Sequence, residues 1–380
     1  MKENQKKVFV GMSGGVDSSV AAYLLKKEGY DVTGVFIRSF NIDGCEEKDA
    51  EDARRVAEHL KIPFYVFDFE KEYKKKVVEY MVEGYRHGIT PNPDVMCNKE
   101  IKFGLFLKKA RAMGADLIAT GHYVRLHKFQ MTNFKFQINS KVSSERGSTS
   151  GGKTQNSKFG LWSAKDLNKD QSYFLWTLTQ DQLKYCLFPI GDYTKPEVRI
   201  IARKVGLPTA EKKDSQGICF LGQVELGDFL KRYIKPKKGP VIDTGGRKVG
   251  EHDGIFFYTV GQRHGLGLGG GEPYYIAEKV LKTNTLVVAR GSDNPALFRK
   301  DVEVTDISLI RPLGTSELKS GIPILARIRY RQPLAKAALT KLKTGNLKLE
   351  FENPIKFVAP GQSAVFYSGK KEMLGGGIIL

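Results

Sequence analysis

The amino-acid sequence predicts an α/β + β protein: an N-terminal Rossmann-like parallel sheet, a small central β-rich domain and a C-terminal β-barrel. Three observations lead there. Through Tyr123, β-rich runs alternate with amphipathic helical runs, the pattern of βαβ units on a mostly parallel sheet. From about residue 210 glycine becomes frequent and the apolar runs become short and alternating. From about residue 287 the short-strand pattern recurs to the end, with no internal repeat of fixed period, as in a small barrel. The expected domains are therefore residues 1–209, 210–286 and 287–380.

The elements follow in order. "KVFVG" (7–11) reads as a strand, and "SSVAAYLLKKEG" (18–29) as a helix with a glycine at its C-cap. "DVTGVFIRSF" is the second strand and "CEEKDAEDARRVAEHLKI" an amphipathic helix. "PFYVFDF" is the third strand, "EKEYKKKVVEYMVEGY" and "IKFGLFLKKARAMG" are helices, and "ADLIATGHY" is the fourth strand. Residues 128–160 are polar and basic, and they predict a long hairpin with a disordered tip between "HYVRLHKF" and "FGLWSA". "DQSYFLWTLTQDQLKYCLF" and "TKPEVRIIARKVGLP" return to helix. The remaining strands belong to the two β-domains.

Composition narrows the class. Hydrophobic residues make up 41% and charged residues 27%, as in a soluble globular chain, and no apolar run approaches the roughly twenty residues of a membrane helix. The N-terminus carries a short basic head with no apolar targeting core, so a cytoplasmic protein is expected. Four scattered cysteines, Cys45, Cys97, Cys186 and Cys219, make neither a disulfide framework nor a paired zinc-ligand spacing. Lys plus Arg is 61 against 42 for Asp plus Glu, a formal net charge of +19. Such an excess draws a protein to a polyanion, and nucleic acid is the expected partner. A solvated lysine-rich surface is the plainer alternative.

"GMSGGVDSS" (11–19) follows a strand and opens a helix, where backbone N–H groups and the helix dipole meet an anion. Gly14 and Gly15 allow close approach of the backbone to phosphate, Ser13, Ser18 and Ser19 add hydroxyls, and Asp17 could carry a Mg2+ ion bridging the phosphates. The loop is not a Walker A motif, because no GK[ST] follows. "SGGVDSS" resembles the PP-loop of ATP pyrophosphatases, which implies ATP and Mg2+ as cofactors and adenylation of a substrate oxygen with release of pyrophosphate.

A second signal comes from "TPNPDVMCNKEIKFG" (90–104) and "DSQGICFLG" (214–222), each with one cysteine. Cys97 lies in a turn-rich, charged and apparently exposed stretch; taken alone, a single cysteine is more often a small hydrophobe. With "GHY", "NKDQSYFLWTL", "IRYRQ" and "PGQSAVFY", these segments resemble the tRNA-specific 2-thiouridylases, the MnmA family, over nearly the whole chain and in the same order. The insertion at 128–160 is longer than the family's usual hairpin. The resemblance implies 2-thiolation of the wobble uridine of tRNA, with sulfur supplied as a persulfide by a cysteine desulfurase or a sulfur-relay protein. Two thiols suit that chemistry, since one can carry the sulfur to C2 and the other release it by forming a disulfide. It implies Cys219 as the persulfide carrier, Cys97 as the second thiol and Asp94 as the acid/base. Cys45 and Cys186 fit no motif and are read as structural.

The same resemblance implies ATP contacts from Gly11, Met12, Ser13, Gly14, Gly15, Val16, Asp17 and Ser18, from Ile37, where the family usually has methionine, and from Gly121. It implies contact with the target base by Asn92, Pro93 and Asp94. Further tRNA contacts fall on His122, Lys169, Asp170, Gln171, Arg329, Tyr330 and Gln362. A PP-loop amide synthetase would account for the loop but not for the two motif cysteines, and a tRNA-binding protein without catalysis for the charge but not for an intact loop.

Overall fold

The computed structural model describes residues 5–40, 42, 45–130, 157–214, 224–269 and 271–380. Its N-terminal layer is a five-stranded parallel sheet in the order β3-β2-β1-β4-β7. The chain runs β1 (Lys7–Gly11), α1 (Val16–Lys27), β2 (Asp31–Arg38), α2 (Cys45–Leu60) and β3 (Phe64–Asp68). Next come α3 (Glu70–Tyr73), a π-helical segment Lys74–Val78 and α4 (Glu79–Arg86), then α5 (Pro93–Met96), a second π-helical segment Cys97–Phe106 and α6 (Leu107–Ala112). β4 (Leu117–Thr120) lands on the far side of β1 from β2. The strand order therefore reverses between β1 and β4, the point at which open α/β sheets bind ligands.

Val8, Phe9 and Val10 are buried, as strands covered by helices on both faces require. Gly29, at φ +90°, ends α1 as the sequence predicts. The predicted hairpin strands are present as β5 (Val124–Gln130) and β6 (Ser157–Ser163), paired antiparallel. The hairpin tip expected to be disordered, 131–156, lies outside the described residues.

Two helix expectations need correction. The helix placed at 101–114 begins at Pro93, because Asn92 caps it: the Asn92 Oδ1 accepts the Val95 N–H at 3.3 Å. Residues 170–188, read as helix, instead form a 3₁₀ turn (Ser172–Phe174), the short α7 (Gln180–Leu183) and β7 (Cys186–Leu187), which pairs with β4. Tyr173, Leu175, Trp176 and Leu178 are all buried. Buried at successive positions and not along one stripe, this connector follows its tertiary contacts rather than a helical period.

After α8 (Lys195–Lys204) and α9 (Leu226–Lys231) comes a small sheet of β8 (Gly239–Asp243), β9 (Lys248–His252), β10 (Tyr274–Val280) and β11 (Thr285–Arg290), in the order β10-β11-β8-β9. The last unit holds β12 (Phe298–Leu309), α10 (Thr315–Ser320), β13 (Ile322–Arg327), β14 (Ala335–Lys341), β15 (Leu347–Lys356), β16 (Ser363–Tyr367) and β17 (Glu372–Ile379). Its order is β12-β15-β14-β13-β16-β17, and β17 returns to β12, closing a six-stranded barrel. β6 adds to β17 through Leu161–Met373 and Trp162–Glu372, which stitches the barrel to the first layer. One apolar core accordingly contains Phe103 and Tyr173 of the first layer, Phe229 of α9, and Val365 and Tyr367 of the barrel.

Candidate nucleotide and thiol site

The phosphate loop lies at the switch point. Gly14 has φ +69°, and a Cβ there would stand 2.3 Å from the Asp49 carbonyl oxygen, so only glycine fits. Gly121, just after β4, packs on the first turn of α1; a Cβ would come 2.6 Å from the Ser18 nitrogen. Gly15, the N-cap of α1, provides no side-chain cap, which leaves the first N–H groups of the helix to water or an anion. The Ser13 N–H donates to Ser18 Oγ at 3.2 Å, and the Ser18 and Ser19 hydroxyls donate to the Gly15 carbonyl. Met12 and Val16 turn their side chains into the core and face the loop with backbone only. Ile37 Cδ1 lies 3.9 Å from where a Gly11 Cβ would be, so Gly11, Ile37 and Gly121 meet at the carboxyl ends of β1, β2 and β4. Open backbone donors, hydroxyls and glycine clearance fit a nucleotide's phosphates.

Asp17 is already engaged. Lys195 Nζ lies 2.8 Å from each of its carboxylate oxygens, and the Tyr123 hydroxyl donates to Oδ1 at 2.8 Å. Burial first, then the Asp17 charge, hold the Tyr123 phenol above its ordinary pKa. Lys195 also reaches Asp214 at 2.8 Å, which pairs with Lys169 at 2.6 Å and Arg199 at 2.8 Å. Burial pushes Asp214 up, but its lysine partners outweigh that and bring its carboxyl down to about 2. Asp17, which the sequence reading offers as a Mg2+ ligand, has its carboxylate matched by a lysine of the chain itself. Among the described residues no group of three or more His, Cys, Asp or Glu is placed to hold a metal ion.

The second part of the site is the helix start at 92–102. The stretch expected to be exposed is largely interior. Asn92 and Pro93 are buried, Asp94 is half-buried, and Cys97 is 6% exposed. Burial raises the Cys97 thiol pKa and the nearby Asp94 charge raises it further; Lys102 and a hydrogen bond from Tyr73 act the other way. Burial likewise raises Asp94, against the pull of Lys102. His122, hydrogen-bonded to Thr120 Oγ1 at 2.7 Å and in ring contact with Phe103 and Phe188, is kept neutral chiefly by burial and secondarily by Lys102.

Lys102 is thus a cation shared by Asp94, Cys97 and His122, and sequence reasoning missed it. In an α-helix residue 102 would sit about 140° around the axis from residue 97. In a π-helical segment, i→i+5 hydrogen bonds bring residue 102 over residue 97, and such segments recur at functional sites. Asn98 was missed as well. Its Nδ2 donates to the Phe174 carbonyl at 3.3 Å, while its buried Oδ1 has no partner among the described residues. Both residues lie in "CNKEIKFG", but only the helical register gives them meaning.

Cys219 lies outside the described residues. Of the two cysteines read as structural, Cys186 is buried and donates to the Gln182 carbonyl at 3.2 Å, while the side chain of Cys45 is outside the description.

The expected RNA contacts divide. Asp170 is 2% exposed and hydrogen-bonds Arg327, Ser172 and the Ala164 N–H. Where the resemblance implies an RNA contact, Asp170 joins the first layer to the barrel, and His122 and Asn92 are likewise interior. Gln171 exchanges hydrogen bonds with the Tyr123 backbone, and half-buried Lys169 is the partner of Asp214. Arg329 donates to the carbonyls of Phe357 and Val260, bridging barrel and central sheet. Tyr330 packs on Phe174 at 4.5 Å. Gln362 Nε2 donates to the Thr90 and Pro91 carbonyls at 2.9 and 3.3 Å, so the barrel grips the backbone just before Asn92.

A phosphate loop at the switch point, a sheltered thiol with an acid three residues before it and two appended β-units define an α/β protein with a nucleotide-type loop and a sheltered cysteine. A family model described as tRNA methyl transferase HUP domain matches residues 6–223, more than half the chain. Models described as tRNA methyl transferase PRC-barrel domain and Aminomethyltransferase beta-barrel domain match 227–290 and 299–379. The chain is 45% identical to tRNA-specific 2-thiouridylase MnmA 1 of Geobacillus kaustophilus, over 96% of this chain and 92% of that protein. It is 43% identical to the tRNA-specific 2-thiouridylase MnmA of Listeria monocytogenes, over 98% and 94%. The Photorhabdus laumondii protein of the same name is 43% identical over 100% and 98%. The chain belongs to the MnmA family of tRNA-specific 2-thiouridylases.

Proposed function

We propose that the protein is a transferase that uses ATP to replace the O2 of the tRNA wobble uridine with sulfur. The presence in one layer of a switch-point phosphate loop and a sheltered thiol–carboxyl pair carries this reading. The uracil O2 attacks the α-phosphorus of ATP, pyrophosphate leaves, and C2 gains a leaving group far better than oxide. Asp94, whose burial raises its proton affinity, takes the N3 proton. The outer sulfur of a Cys219 persulfide attacks C2 and AMP departs with the former O2. Cys97 then attacks the Cys219 sulfur, forming a Cys97–Cys219 disulfide and releasing the C2 sulfur as the thiocarbonyl. A two-electron reductant restores both thiols, and the donor that reloads Cys219 is a persulfide protein.

The ATP contacts of this reading are the backbone from Gly11 to Ser18, with Ile37 and Gly121 at the adenosine side. Mg2+, if bridged by Asp17, would have to share that carboxylate with Lys195 or displace it. Lys169, Tyr330 and Gln362 would face RNA, whereas Asp170 would act by holding the barrel in place.

The test is ATP-dependent incorporation of labelled sulfur into tRNA by the full chain with a cysteine desulfurase, cysteine and a reductant. Cys97→Ser and Cys219→Ser should each abolish incorporation while leaving tRNA affinity within about twofold. Full thiolation by either single variant would sink the two-thiol mechanism. Pyrophosphate release that requires an amino acid and no RNA would instead indicate an amide synthetase.

A further inference from the structure

Lys195 opens α8, is 9% exposed, and has all three ammonium donors matched: two at the Asp17 oxygens and one at Asp214 Oδ1, each 2.8 Å away. Asp17 lies in the first turn of α1, the turn whose N–H groups have no side-chain cap. A carboxylate there suits the helix dipole but repels an incoming polyphosphate, and Lys195 cancels that repulsion. Lys212 is the other lysine beside the loop, and it is held by Asp49 at 2.6 Å and Asp52 at 2.5 Å, behind the Asp49 carbonyl on which Gly14 packs. Among the described residues, Lys195 is the cation hydrogen-bonded to a side chain of the phosphate loop and first turn. Asp214 does not depend on it, having Lys169 and Arg199, and Asp17 keeps the Tyr123 hydroxyl.

We propose that Lys195 is a ligand of the nucleotide's polyphosphate, held on Asp17 and Asp214 until the phosphates arrive and then turning at least one donor to them. A compact ammonium with rotatable donors can make that transfer without moving the helix. Placed there, it also offsets the charge that develops as pyrophosphate leaves. This inference rests on the reading of the loop as an ATP site.

Titration calorimetry on the full chain with ATP, inorganic pyrophosphate and adenosine tests it. Lys195→Met should weaken ATP and pyrophosphate about tenfold or more and leave adenosine within about twofold, with Lys195→Arg recovering part of the loss. Asp214→Asn, which removes a competitor for the ammonium, should tighten pyrophosphate about threefold, and that gain should vanish in the Lys195→Met background. If Lys195 only fastens α8 to α1, ATP and adenosine will weaken together or neither will, and the Asp214→Asn effect will survive without the lysine; either result overturns the inference. A wild-type protein that binds adenosine but neither ATP nor pyrophosphate removes the ATP reading itself.

Discussion

Cys97 sits between charges of opposite sign. Its burial favours the neutral thiol, Asp94 reinforces that preference, and Lys102 opposes it. The thiolate is the nucleophilic form of a cysteine, so these surroundings favour the less reactive form of the Cys97 sulfur. Lys102→Met removes an influence that lowers the thiol pKa, and Asp94→Asn removes one that raises it. The rate of Cys97 alkylation by iodoacetamide at about pH 8, followed by mass spectrometry of its peptide, should therefore fall in the first variant and rise in the second. A change of severalfold in each direction is expected, since one pKa unit is about a tenfold change in thiolate. Lys102→Arg should retain the wild-type rate. A shift of the same sign in both charge-removing variants would mean that packing, not charge, sets the reactivity. The cysteine motif was legible in the sequence, but its burial was not. Polar Asn92, Asp94, Asn98, Lys99 and Glu100 make the stretch read as surface, although Asn92 and Asn98 turn inward to cap a helix and to hold the Phe174 carbonyl.

Elements with a regular period were read correctly because each buries one face or two against its neighbours, and local spacing records that. β1, α1, β2, α2 and β3 are of this kind. The connector at 170–188 is not, since its shape depends on partners more than 150 residues away. The Tyr173 hydroxyl donates to the Ser363 carbonyl at 2.9 Å, Trp176 Nε1 to Ser363 Oγ at 3.0 Å, and Asp170 accepts from Arg327. Arg327 is 4% exposed and also donates to the Tyr367 hydroxyl at 2.7 Å. Removing one member of a buried ion pair leaves the other charge uncompensated, at a cost of about 3–5 kcal/mol. Asp170→Asn should lower the thermal midpoint by several degrees while the folded protein retains its tRNA affinity. The opposite outcome, unchanged stability with weakened tRNA binding, would return Asp170 to the RNA surface. Gln362 shows the same dependence on distance. The resemblance implies an RNA contact there, and its amide also holds residues 90 and 91, and through them the start of the thiol-bearing helix.

At the scale of the whole molecule, charge remains the feature to be accounted for. Several of the 61 basic residues serve the interior: Lys169, Lys195, Arg199 and Lys212 are matched to carboxylates beside the phosphate loop, and Arg327 is buried. Others face outward near the thiol. Lys74 and Lys75 are exposed on the π-helical segment that follows Tyr73, Lys76 pairs with Glu100 across to the Cys97 segment, and Lys108 is exposed just past the end of that segment. A basic rim around a buried thiol suits an RNA loop whose backbone is held at the surface while one base turns inward. If about six phosphates are neutralised, each contributing about 0.7–0.9, log affinity for tRNA should fall against log salt with a slope of about −5. A fourfold rise in salt should then weaken binding about a thousandfold. Replacing Lys74 and Lys75 together by glutamate should flatten the slope by about 2 and leave ATP binding unchanged. Filter-binding or anisotropy titrations at four or five salt concentrations measure both quantities. A slope near zero in the wild type would show that the excess of lysine is a solvated surface, and an unchanged slope in the double variant would place the RNA on another face.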